Sequence, residues 1–132
     1  MSRSIATALM FQEANAEEAM TFYVSLFKGS QVVLVERYGP EGPGKDGSIK
    51  RATFKLAGHD LVCMDSPIKH HFTFTPSVSL FVECESEAEL DEAYAKLSAG
   101  GMVLMPLNNY GFSKKFGWIN DRFGVSWQLN LA

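Results

Sequence analysis

Three histidines, two cysteines and fifteen acidic residues are the side chains of this 132-residue chain best suited to chemistry. Their spacing assembles no site by itself. Cys63 and Cys84 form no CxxC pair; in a reducing compartment each reads as a small buried hydrophobe. His70 and His71 are adjacent, so in extended chain they point to opposite faces, and they read as a solvated pair in a connector. His59 falls in a hairpin turn. Glu83 and Glu85 flank Cys84 just ahead of a predicted helix, where negative charge suits the helix dipole. Glu17-Glu18 and Glu87 with Glu89 have the same explanation. Neither a Ser-His-Asp set nor a Cys-His pair emerges from the spacing. The glycine-rich stretch Gly39-x-x-Gly42-x-Gly44-x-x-Gly47 is flanked by strands with no helix after it. It reads as a hairpin loop rather than a phosphate cradle, which needs a helix N-terminus.

The composition excludes several classes. A chain 46% hydrophobic and 20% charged is an ordinary globular one. A net charge of −3 gives no electrostatic footprint for nucleic acid. Apolar runs stay well short of the ~20 residues of a membrane span. The start, Met1-Ser2-Arg3-Ser4, lacks the apolar region of a signal peptide, so a cytoplasmic protein is expected.

The elements that would position these residues come in a repeated order. Ile5 to Gln12 reads as a strand. Asn15 with Glu18 reads as a capping box, followed by Ala19, Phe22, Tyr23, Leu26 and Phe27 at helical spacing and a stop at Gly29. Strands follow at 31–38, 48–56 and 61–65. After a connector at 66–76 the order recurs: a strand at 77–84, a helix capped by Ser86 with Glu89 in its first turn, then strands at 102–107 and on both sides of Asp121–Gly124. Leu90, Ala93, Tyr94 and Leu97 form the second helix's apolar face. Tyr23 matches Tyr94, Leu26 matches Leu97, Gly29 matches Gly100 and Val32 matches Val103, all at one offset, which reads as an internal duplication. One domain, 1–132, is expected, with module one at about 5–65 and module two at about 77–132.

Asn15-Ala16-Glu17-Glu18-Ala19, then Phe22-Tyr23 and Phe27, resemble the first helix of PhnB-like proteins. Ser79-Leu80-Phe81-Val82 and Gly117-Trp118-x-x-Asp121-x-x-Gly124-Val125-Ser126-Trp127-Gln128 resemble the branch often labelled 3-demethylubiquinone-9 3-methyltransferase. The chain is thus similar to the vicinal oxygen chelate (glyoxalase/bleomycin-resistance) superfamily. The resemblance implies an α+β fold: two tandem βαβββ modules forming a curled mixed sheet around a cavity. It also implies a homodimer, in keeping with sheet edges that need cover.

In that superfamily, metal ligands come from the first and last strand of each module. Here the resemblance puts Ala8, Val62, Ser77 or Ser79, and Gln128 at those places. An amide, a hydroxyl and two aliphatic groups do not supply the imidazole or carboxylate donors a divalent ion wants, so no metal and no other cofactor is expected. The cavity-lining candidates are Arg51, Met64, Ser77, Ser79, Trp118 and Gln128. With Gly58-His59 at the first hairpin's tip, Phe54 is expected opposite Cys63 and Thr53 opposite Met64. Arg51 could grip an anion in fork geometry; a solvated edge arginine is the alternative.

These residues support a metal-independent small-molecule binder. A metal-dependent lyase or dioxygenase of the same fold with displaced ligands, and an interaction domain without a ligand, are the alternatives. A methyltransferase lacks the glycine-rich strand-to-helix turn that S-adenosylmethionine usually requires.

Overall fold

Eight strands and two helices alternate in the order β1 (Thr7–Phe11), α1 (Ala16–Leu26), β2 (Gln31–Arg37), β3 (Ile49–Leu56), β4 (His59–Asp65), β5 (Leu80–Glu83), α2 (Glu87–Ser98), β6 (Met102–Asn108), β7 (Lys115–Asn120) and β8 (Ser126–Leu131). The computed structural model describes residues 3–132; Met1 and Ser2 of the polar start lie outside the described residues. One compact unit ends at His71 and the other begins at Phe72. Each holds one four-stranded mixed sheet, ordered β1-β4-β3-β2 in the first and β5-β8-β7-β6 in the second. The same order in both is what the repeated sequence pattern requires. Each unit is a βαβββ module whose first strand lies parallel to its last.

In the first unit, Ala52, Phe54, Leu61 and Cys63 alternate with half-buried or exposed neighbours and form the covered face with Leu9 and Phe11. Helix α1 adds Ala16, Ala19, Met20, Tyr23 and Phe27 to that core. The helix is not capped as the Asn15–Glu18 spacing suggests, because the Asn15 side chain accepts no capping bond. Instead the buried Asp65 carboxylate, at the end of β4, accepts from Ala16 N at 2.9 Å and from Ile49 N at 2.8 Å. The cap arrives from a distant strand, so local spacing could not reveal it.

The β3–β4 turn is the two-residue Ala57-Gly58, both at positive φ (48° and 91°), the geometry that matches strand twist in tight hairpins. The tip therefore sits one residue earlier than expected. Phe54 faces Leu61 and Thr53 faces Val62, not Cys63 and Met64. A shift of two residues leaves every side chain on its expected face.

In the second unit, Trp127, Ile119 and Leu129 are fully buried with Leu90, Ala93 and Leu97 of α2. Ser86 Oγ accepts from Glu89 N at 3.1 Å, the cap the spacing predicts, and the Glu89 carboxylate accepts from Glu85 N, just ahead of the cap, at 2.9 Å. Gly117 makes room for α2: a Cβ there would lie 2.8 Å from Leu107 Cδ2 and 3.0 Å from Tyr94 Cε2. Strand β5 begins only at Leu80, so Ser77 and Ser79 precede it rather than lie within it.

Candidate functional site

Each sheet has a second face, turned away from its helix, and the candidate residues are distributed over these two open faces. In the first unit, strand register sets Leu34, Thr53, Val62 and Ala8 side by side. One step along lie Glu36 and Arg51 on one side, Met10 and Met64 on the other. Arg51 is half exposed, with its Nη1 at 4.0 Å from Glu36 Oε1. That separation is an ion pair in water rather than a clamped fork.

In the second unit, Phe81, Gln128, Trp118 and Met105 form the corresponding row. Trp118 Nε1 donates to Ser126 Oγ at 2.8 Å, and Ser79 Oγ lies 2.9 Å from the same hydroxyl. Ser79, Trp118 and Gln128 are therefore gathered on one face, with the Trp118 ring held in orientation. Ser77 is not among them: it is exposed and bonds Thr75 Oγ1 at 2.7 Å.

Ladder register sets the neighbours of the matched positions. Ala8 pairs with Val62 in the first parallel ladder, and in the second the residue paired with Gln128 is Phe81, not Ser77 or Ser79. The two cross-ladder pairs are thus Ala8–Val62 and Phe81–Gln128. Only one of the four carries a donor atom for a metal, and it is a neutral amide. The residues present do not fit a divalent ion. Among the described residues, no group of three His, Cys, Asp or Glu side chains is placed to hold one elsewhere.

Several of the remaining reactive groups have structural surroundings of their own. Burial, with the Asp65 carboxylate adding to it, pushes the Cys63 thiol up to about 12. Burial and the Glu89 carboxylate push Cys84 to about 11. Both thiols therefore stay protonated at neutral pH, unsuited to attack. His59 Nε2 sits 2.9 Å from Thr7 Oγ1, and the His70 backbone N–H donates to Gln12 Oε1 at 2.6 Å. A depression of about 240 Å³ beside Asp65 is lined by Glu17, Lys45 and Asp46, but Glu17 is held by Arg37 and Asp65 by two backbone amides.

Two residues that the sequence reading did not place on the open face are Glu83 and Asn130. They are paired across β5 and β8 on the same face as Gln128, and Asn130 Nδ2 donates to both Glu83 oxygens at 3.1 and 3.0 Å. Alternation from Gln128 along the strand was the available signal; the helix-dipole explanation of Glu83 hid it.

The paired mixed sheets, each with one helix, define the glyoxalase-like class. A glyoxylase/bleomycin resistance protein/dioxygenase domain from Frankia sp. EAN1pec superposes with a TM-score of 0.62 at 17% identity, covering 100% of this chain and 93% of that one. The chain belongs to the family described as 3-demethylubiquinone-9 3-methyltransferase, whose model matches residues 3–130. A Bacillus cereus structure carrying that name together with "PhnB protein" is 55% identical, with a TM-score of 0.95, covering 98% of this chain and 100% of that one. Protein YjdN of Escherichia coli K12 is 24% identical over 87 residues, which is 66% of this chain and 58% of YjdN. Among the described residues no helix is long and apolar enough to cross a membrane.

Proposed function

We propose that this chain is a small-molecule-binding protein of the glyoxalase fold that holds its ligand without a divalent metal. One observation carries the reading: Ala8 pairs with Val62 in one parallel ladder and Phe81 with Gln128 in the other, and none of the four offers a charged or imidazole donor. Aliphatic groups on the first unit's open face, and aromatic and amide groups on the second's, each suit an organic ligand better than an ion. The half-buried Trp118, Met105 and Met64 beside these positions support the same conclusion.

The methyltransferase in the family's name is not part of this reading. The strand-to-helix turns, residues 12–15 and 84–86, contain no glycine. The glycine-rich loop joins antiparallel β2 and β3 instead. Neither offers the cradle in which backbone amides at a helix N-terminus meet a nucleoside cofactor. A homodimer in the cytoplasm completes the proposal.

Calorimetric titration with Zn²⁺, Ni²⁺ and Mn²⁺ tests the metal half. The expected outcome is an absence of one-to-one binding at micromolar strength. Tight binding abolished by Gln128→Ala would overturn the proposal and favour a metalloenzyme with displaced ligands. A thermal-shift screen of organic metabolites tests the other half, with stabilisation by a ligand as the expected result.

A further inference from the structure

The open face of the second unit carries a carboxylate, a buried acceptor without a partner, and a cluster of exposed rings. Glu83 is exposed, and among the described residues no cation pairs with it. Lys115, on β7, turns to Glu87 and Asp91 at 3.1 and 2.7 Å. Asn130 holds the Glu83 carboxylate through both oxygens. Its own Oδ1 is enclosed and has no hydrogen-bond partner, in a residue only 7% exposed. Turning the amide over does not relieve this, because Oδ1 would then face the carboxylate. A buried acceptor left unsatisfied carries its full desolvation cost, and an N–H donor would remove it.

The aromatic groups adjoin these acceptors. Phe116 is across the ladder from Asn130, and Phe81 is two residues from Glu83 on the same face. The Phe81 and Phe112 rings lie 6.5 and 5.0 Å from Phe116, and Tyr110 stacks on Phe112 at 6.2 Å. Phe81 is 55% and Phe112 63% exposed, unusual for rings with this much apolar area to hide.

We infer that this face binds a flat organic cation carrying N–H donors. Its positive nitrogen meets the Glu83 carboxylate, a second N–H satisfies Asn130 Oδ1, and its plane lies against Phe81 and Phe112. Charge-assisted bonding and ring stacking then act together. The inference deepens the metal-independent binder reading and rests on it.

Fluorescence titration with proflavine, a planar diamino cation, tests it, with the anionic dye anilinonaphthalene sulfonate as the counter-probe. Saturable proflavine binding weakened about tenfold or more by Glu83→Gln, and also by Phe112→Ala, is the expected result. Circular dichroism and melting of each variant establish that it remains folded. Equal affinity in folded Glu83→Gln overturns the inference, as does absence of proflavine binding to the wild type. Binding of the anionic dye alone would overturn the cationic class while leaving the binder reading intact. Metal binding lost in Gln128→Ala is the separate result that sinks that reading.

Discussion

At the scale of single residues, the two buried aspartates do the most structural work, and each does it at a turn or cap. Asp121 is 3% exposed; its Oδ1 accepts from Phe123 N and Val125 N at 2.9 and 3.0 Å, and its Oδ2 accepts from Trp127 Nε1 at 2.9 Å. One carboxylate thus fixes the β7–β8 turn and the orientation of the largest core side chain. Trp127→Ala should cost about 3–5 kcal/mol from lost burial. Trp127→Phe keeps most of the ring volume but withdraws one donor from a buried carboxylate, and should cost about 1–3 kcal/mol. Urea unfolding of both variants checks this; near-wild-type midpoints would mean that the indole neither fills the core nor serves Asp121. The sequence marked Asp121 at a turn between two strands, because turn chemistry is a local property. It misplaced the helix α1 cap, because Asp65 reaches Ala16 across 49 residues of chain.

Among elements, helix α1 is tied to strand β2 by Arg37, whose Nη1 and Nη2 donate to the Glu17 oxygens at 2.7 and 2.6 Å. The guanidinium's hydrogen bonds hold the Glu17 carboxyl below its usual value of 4.5, with burial opposing and charge attraction adding. A carboxyl depressed in the folded state stabilises above its unfolded value, and that contribution is lost as pH falls through the folded one. The melting-temperature difference between wild type and Arg37→Met should therefore be constant near neutral pH. It should shrink as pH drops below 4.5 and vanish once Glu17 is protonated in both states. Both side chains are about half exposed, so the difference should be small and should fall with added salt. A difference that persists in acid would show that Arg37 acts through packing instead. Element order and face alternation were legible because they follow from period and capping. Register was less so: a hairpin tip displaced by one residue moved each β3–β4 partner by two, and β5 starts later than the expected strand at 77–84.

At the scale of the whole molecule, the sheet edges bear on assembly. Strand β2 closes one edge of the first sheet, and every residue in it is exposed. Val32, Val33, Leu34 and Val35 are 41, 56, 42 and 36% exposed. They alternate across both sides of the strand, so packing on either face would not cover them all. Apolar edge strands pair with other chains unless charge, proline or a bulge protects them. The register break at Val33 and the ionic end Glu36-Arg37 protect this one only in part. A second copy of the same chain is the partner that the proposed homodimer supplies, and burial of this strand would be one of its contributions. Light scattering at micromolar concentration should give twice the chain mass. Val33→Lys, which places a charge on the most exposed of the four, should shift the equilibrium toward monomer while leaving the fold's circular dichroism unchanged. A wild-type monomer would sink the dimer. A dimer indifferent to Val33→Lys would move the interface elsewhere and leave β2 as an edge that the fold tolerates.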